Sequence, residues 1–450
     1  MEIRKSDVKK IHQSVTPRAK VPPKKVKKDV GIPRDKVTIS GKKADTGPIK
    51  PKAKWLFMNY VAGDCNLTEL QLKNIDQQEL VGSDKNTHIV AYVDVGPKPN
   101  PFDGQWNNAR SYYITRDETP NKFNSELIED FGKVDMSNPN TLRDFIIDAI
   151  KKFPADHVAL ILNDHGGGFT GAMADDTDGD FMSVPQIAKA LREAEKATGK
   201  KIDIVGFDAC LMAETEVAYE LKDHANILLA SEESEGGPGW TYDSMLGGRT
   251  LKEAIHKVQK LLDKKITVSP EDFAKIVVDV NAQHQDDIPT FSATRLSSMD
   301  KLAKATDKLA EAILKTSDKE GIKKAIKEAE NYGGGWAPYR DIHDLHHVCT
   351  NIVKTTSDKD VKKAAEDVIK TVNEAIITNE HDPSSYPNSQ GLSIYAPETS
   401  SFGYNYKDLA FAKKTRWEEA IQSLHSSSTK PVDGEPSVWP DGSPRKSKKS

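Results

Sequence analysis

Two short apolar runs, each ending in a reactive residue, constrain this chain more than any other feature. His157-Val158-Ala159-Leu160-Ile161-Leu162 is followed by Asn163-Asp164-His165-Gly166-Gly167-Gly168. Ile202-Asp203-Ile204-Val205-Gly206-Phe207 is followed by Asp208-Ala209-Cys210 and a pattern of helical spacing. Runs of this length, bounded by glycine and separated by an amphipathic stretch, read as adjacent parallel strands of a βαβ unit. On that reading His165 and Cys210 leave the same edge of one sheet, where α/β folds usually place ligands.

The neighbouring sequence supplies more of the same architecture. Trp55 to Val61 reads as a buried strand, Leu67 to Leu80 as a helix, His88 to Val95 as a strand, and Arg110 to Thr115 as an edge strand. Thr141 to Phe153 has helical spacing, with Leu142, Phe145, Ile146 and Ile150 on one face. Leu211 to Leu221 reads as a helix starting directly after Cys210, and Ile227 to Ala230 and Thr290 to Arg295 as further strands. The alternation predicts an α/β fold, a mostly parallel sheet with helices on both faces, over residues 54–295. Residues 296–425 read as a largely helical C-terminal region, with helices over Leu302 to Leu314 and Val361 to Ile377 and a strand near 391–396.

Charge separates the ends from this body. Residues 1–54 hold 17 Lys plus Arg against 5 Asp plus Glu, a net of +12, which leaves −16 for the rest of a chain whose net charge is −4. Residues 1–53 lack apolar periodicity and read as a basic disordered tail, and the Ser, Pro and Lys content of 426–450 predicts a second one. No aromatic interleaving accompanies the lysines, so nucleic-acid binding is not expected. No apolar run approaches the roughly 20 residues of a membrane span, so a membrane role is not expected either. The first residues carry no apolar signal region, which favours a cytoplasmic location and leaves secretion by another route open. Cys65, Cys210 and Cys349 have neither disulfide-framework nor zinc-finger spacing, and the ordinary role of such a residue is a buried small hydrophobe.

Cys210 departs from that ordinary role. At a strand end, before a helix starting at Leu211, the free N–H groups and helix dipole would favour the nucleophilic thiolate. His165, on the neighbouring strand, has the right chemistry to remove the thiol proton, since imidazole as a group titrates near neutral pH. The three glycines after it permit positive φ and close approach of the backbone to a ligand, and their N–H groups could hold a developing oxyanion.

These segments, with Ala230-Ser231-Glu232-Glu233 through Gly239-Trp240-Thr241-Tyr242, resemble the clostripain family of cysteine peptidases. The likeness extends to Asn59-Tyr60-Val61-Ala62-Gly63-Asp64, to Gly391-Leu392-Ser393-Ile394-Tyr395, and to Leu409-Ala410-Phe411-Ala412 through Trp417. The resemblance implies a caspase-like fold, related to legumains and gingipains, and an endopeptidase working through an acyl-enzyme. It implies Cys210 as nucleophile, His165 as general base and then acid, and the N–H groups of Gly166 and Cys210 as oxyanion hole. No third catalytic residue of fixed identity is expected. Two other readings compete. A non-catalytic caspase-like binding module would keep the fold, and His-Gly-Gly-Gly also resembles the oxyanion loop of α/β-hydrolase esterases, although no G-x-S-x-G elbow is present.

Family members commonly cut after Arg or Lys, so the resemblance implies protein or peptide substrates with a basic residue before the cut. Asp208 matches one pocket acid, with capping of the Leu211 helix as its alternative role. Where basic-specific relatives carry a second acid just before Gly-Trp, this chain has Pro238, which leaves Glu235 or Glu233 to reach the pocket. Activation by cleavage after the histidine is not expected, since Phe169 to Ser183 contains no Lys or Arg, and the lysine-rich tail is an alternative occupant of the acidic site. No cofactor is required for the chemistry. Calcium, needed by some relatives, is a possible ligand of the Asp175, Asp176, Asp178 and Asp180 segment, which fails the EF-hand template and reads as a solvated acidic turn.

Overall fold

A computed structural model describes residues 49–96, 106–119, 122–236, 240, 250–282, 288–333, 341–403 and 405–425. Both charged tails lie outside this set, apart from a few residues at the end of the first. In chain order the strands are β1 (Ala53–Val61), β2 (Thr87–Val93), β3 (Ala109–Tyr113), β4 (Glu126–Gly132), β5 (Ala155–Asn163), β6 (Ala172–Asp175) and β7 (Asp180–Met182). They continue as β8 (Ile202–Asp208), β9 (Ala225–Ala230), β10 (Thr290–Arg295), β11 (Asn331–Tyr332), β12 (Ile342–Asp344), β13 (Ile376–His381) and β14 (Ser393–Tyr395).

Nine of these strands form one sheet in the order β13-β10-β9-β8-β5-β1-β2-β3-β4. The five central strands, from β9 to β2, pair in parallel, and two antiparallel strands flank them on each side. The fold is α/β with a mixed sheet whose core is parallel. Central strands have both faces covered, which is why they are near-continuous apolar runs. Alternate residues supply two cores. Leu56, Met58, Leu160, Leu162 and Phe207 pack on one face with Phe145, Ile146, Ile187 and Leu191 from the helices Pro139–Lys152 and Val184–Thr198. Trp55, Phe57, Ile161 and Ile204 pack on the other with Leu72, Ile75, Phe273 and Val277 from Thr68–Glu79 and Pro270–Asn281.

The crossover joining β5 to β8 has clear local causes. Its helix Val184–Thr198 opens on a capping box between Ser183 and Gln186 and closes at Gly199, where φ is +69°. Its apolar stripe then lies on the sheet and sets β8 beside β5.

Three expectations are corrected. Arg110 to Thr115 is not at the edge; β3 is internal and β4 is the edge strand, its residues mostly exposed and so without a buried face to advertise it. The helix expected from Leu211 starts at Thr215 instead and runs to Leu221. The expected helix over Val361 to Ile377 runs Lys359–Ala375, and the next residues form β13, antiparallel to β10.

That last strand ties the C-terminal region into the main sheet, and residues of both regions share one apolar core. Strand β14 has a specific task within it. Ser393 N–H donates to Ala213 O (2.9 Å) and Thr215 Oγ1 donates to Ser393 O (2.7 Å), so this strand braces the segment just after Cys210.

Candidate active site

Strands β5 and β8 pair so that Asn163 stands opposite Asp208. His165 and Cys210 each follow two residues later, so the parallel register alone delivers both to neighbouring loops. Gly166 is where those loops touch. A Cβ there would collide with Cys210 O and lie 3.1 Å from Cys210 N, so a larger residue would part the histidine loop from the cysteine turn. Of the three glycines only Gly168 uses positive φ (+57°). Beyond it, Phe169 N–H donates to the buried Glu214 carboxyl group, which pins the loop from below.

Cys210 sits in a turn rather than on a helix N-terminus. Leu211 adopts φ +66°, and Leu211 N and Ala213 N donate to Glu233 O (3.2 Å) and Ser231 O (2.8 Å). The helix-dipole argument for its thiolate therefore falls, as does helix capping by Asp208. In its place the Glu235 N–H donates to Cys210 Sγ at 3.3 Å, and the thiol reaches Glu235 O at 3.6 Å. A backbone N–H aimed at sulfur favours the charged form by the same electrostatics.

His165 is buried, and its Nε2 lies 2.6 Å from Asn66 Oδ1. The amide oxygen only accepts, so Nε2 carries the proton in this contact and Nδ1 keeps the basic lone pair. Asn66 was not among the residues the sequence singled out. It follows β1, which pairs with β5, so the loops after both strands leave the same sheet edge. That adjacency is a product of the fold, so no local stretch of sequence points to Asn66.

Beside Cys210 lies a pair of buried acids. Asp208 accepts from Trp240 N (3.0 Å) and from the Asn163 amide, while Glu235 accepts from Trp240 Nε1 (3.4 Å) and hydrogen-bonds to Asp208. Burial pushes Asp208 up to about 7; burial, reinforced by the charge of Asp208, holds Glu235 well above the usual carboxylate range. Two such groups share a proton near neutrality. The second oxygen of Glu235, Oε2, is buried with no hydrogen-bond partner. Trp240 fits against β8 because Gly206 has no Cβ, which would stand 2.6 Å from the indole. Glu233, the other expected pocket acid, is turned away and accepts from Gly333 N (3.0 Å) and Ser234 N (2.6 Å). Pro238 lies outside the described residues.

The sequence model of the clostripain family matches residues 59–424. The chain belongs to the clostripain family. Clostripain from Hathewaya histolytica is 25% identical over 404 residues, covering 76% of this chain and 74% of that one. A secreted C11 cysteine protease from Bacteroides thetaiotaomicron, solved with an irreversible peptide inhibitor, superposes with a TM-score of 0.58 at 18% identity over 82% of this chain and 99% of its own. An inactive zymogen C11 protease from Parabacteroides distasonis gives 0.57 at 19% identity, with the same coverages. The chain is accordingly a clostripain-like cysteine peptidase, with protein or peptide substrates.

The acidic segment of this clostripain-family chain is a hairpin, β6 to β7, and only part of it is solvated. Asp175 is buried and groups with Asp64 and Asp94, carboxyl oxygens within 4.8 Å of one another. Burial first, then the neighbouring carboxylates, raises Asp94 to about 7 and Asp175 to about 6. An all-oxygen acidic set fits calcium in chemistry. Asp175, however, already accepts from Met136 N, Thr177 N and Asp178 N, each at 3.1 Å. Among the described residues no helix is long and apolar enough to cross a membrane.

Proposed function

We propose that this peptidase cleaves after Arg or Lys through a Cys210–His165 dyad and an acyl-enzyme. The register pairing Asn163 with Asp208, which carries His165 and Cys210 to touching loops, is the observation that supports the dyad most directly. His165 takes the thiol proton, and the Cys210 thiolate attacks the scissile carbonyl carbon. The oxyanion so formed is held by the N–H groups of Gly166 and Cys210. Collapse expels the amine, which leaves with the proton from the imidazolium. Water, deprotonated by His165, then attacks the thioester and releases the acid.

The basic preference rests on Asp208 and Glu235. A guanidinium or ammonium entering beside them would displace the shared proton and gain charge-assisted hydrogen bonds, one of them on Glu235 Oε2. Glu235 thus fills the role that Pro238 cannot. Calcium has no chemical step here; Asp64, Asp94 and Asp175 are the residues we propose would hold it, bracing the loop after β1. The secreted neighbour favours export over the cytoplasmic location expected from the first residues. Cleavage of peptides varied at the residue before the cut, with and without calcium chelation, tests this reading. Equal cleavage after basic and neutral residues would reject the pocket assignment.

A further inference from the structure

A second thiol stands beside the histidine and is not used by the chemistry above. Cys65, Asp164 and His165 are all buried, and each offers a ligand atom, sulfur, oxygen and ring nitrogen, within 4.8 Å of the others. The three come from two elements: Cys65 from the loop after β1, Asp164 and His165 from the end of β5. Asp164 Oδ2 accepts from Ala174 N, the Cys65 thiol and the His165 N–H lie within hydrogen-bonding reach of the same carboxyl group, and buried Oδ1 has no partner outside this cluster. A buried, unpartnered carboxylate oxygen is costly unless a cation or proton compensates it.

We infer that Cys65, Asp164 and His165 form an inhibitory zinc site, in which a bound Zn²⁺ withdraws His165 from the dyad. Thiolate, imidazole and carboxylate are zinc donors, and three protein ligands leave a fourth position for water. Zinc bonds of about 2.0–2.3 Å place tetrahedral ligand atoms roughly 3.5 Å apart, inside the 4.8 Å that bounds these three. Softness excludes calcium and magnesium, which prefer all-oxygen sets. Exposed Asn66, on the His165 ring, marks the way in from solvent. Binding replaces the Cys65 S–H proton with zinc and releases it to solvent.

The inhibitory half rests on His165 acting as general base; the binding half does not. The binding test uses the full chain carrying Cys210→Ala, so that the nucleophile cannot be a ligand, with Co²⁺ as probe. One equivalent of Co²⁺ should give thiolate-to-cobalt charge-transfer absorption that Zn²⁺ abolishes, and adding Cys65→Ser should remove it. Absence of the band, or a band unchanged by Cys65→Ser, would overturn the site. In the otherwise wild-type chain, Cys65→Ala should raise the Zn²⁺ concentration for half-inhibition at least about tenfold, with zinc-free kcat/KM within about twofold. Equal zinc sensitivity would overturn the inhibitory role, placing zinc on the Cys210–His165 pair. A chain inactive without zinc would reject the catalytic reading and leave the cobalt spectrum to decide the metal site.

Discussion

Asn66 Oδ1 lies 2.6 Å from His165 Nε2, although 99 residues separate them in sequence. With the amide oxygen accepting, the contact puts the proton on Nε2 and leaves Nδ1 as the nitrogen for the base catalysis proposed above. Asn66→Ala should therefore lower kcat about 10- to 100-fold, roughly 1.4–2.7 kcal/mol in barrier, with little change in KM. Asn66→Asp keeps an acceptor and adds a charge that favours imidazolium, so the acid limb of the kcat–pH profile should move to higher pH. An unchanged profile in both variants would leave Asn66 a bystander.

Glu235 and Asp208 are expected to set the basic preference. Glu235→Gln, or Asp208→Asn, should cost Arg and Lys substrates about 10- to 100-fold in kcat/KM, the worth of a hydrogen bond to a charged group at about 1.5–3 kcal/mol. Cleavage of a substrate with a neutral residue at that position should change far less. Kinetics on matched peptide pairs measure the difference, and equal losses on both would point to a folding role.

The same pair predicts a pH dependence. Burial pushes Asp208 up to about 7 and holds Glu235 well above the usual carboxylate range, so the pocket gains negative charge as pH rises through neutrality. KM for Arg and Lys substrates should fall as pH rises through about 7. A KM that is flat from pH 6 to 8 would contradict the assignment.

A second buried acid pair bears on stability. Burial pushes Glu216 up to about 7, and burial together with the charge of Glu216 holds Glu214 well above the usual carboxylate range, against an unfolded value of about 4.3. The folded state retains protons that the unfolded chain releases between those values, so this contribution is complete below about 4 and is lost as pH rises through 7. Glu216→Gln keeps an acceptor for Tyr406 OH (2.8 Å) and Tyr395 N (3.3 Å) while removing the titration. It should raise Tm at pH 8 by a few degrees, on the order of 1 kcal/mol, and leave Tm at pH 4 unchanged. Melting curves at the two pH values decide it, and an equal loss at both would contradict it.

What the sequence disclosed followed from burial. Strands β1, β5 and β8 were legible because a strand covered on both faces is a continuous apolar run, and their order placed His165 beside Cys210. The edge strand β4, with no buried face, left no pattern to read. The turn at Leu211 was hidden because a non-glycine residue at positive φ has no compositional mark. Strand β13 was absorbed into the preceding helix, since Ile376 and Ile377 continue its apolar spacing. Asn66 and the burial of Asp175 depend on strand adjacency, which no local window contains. Glu235 could be named but not chosen over Glu233 until the loop after β9 showed which one faces Asp208.

The dyad is tested most directly by locating the adduct formed with an irreversible peptidyl electrophile carrying Arg before its reactive carbonyl. Mass spectrometry of the digested protein should find one modification, on Cys210, absent from Cys210→Ala and strongly slowed in His165→Ala. Modification that persists in Cys210→Ala, on Cys65 or elsewhere, together with peptide cleavage by that variant, would contradict Cys210 as the nucleophile.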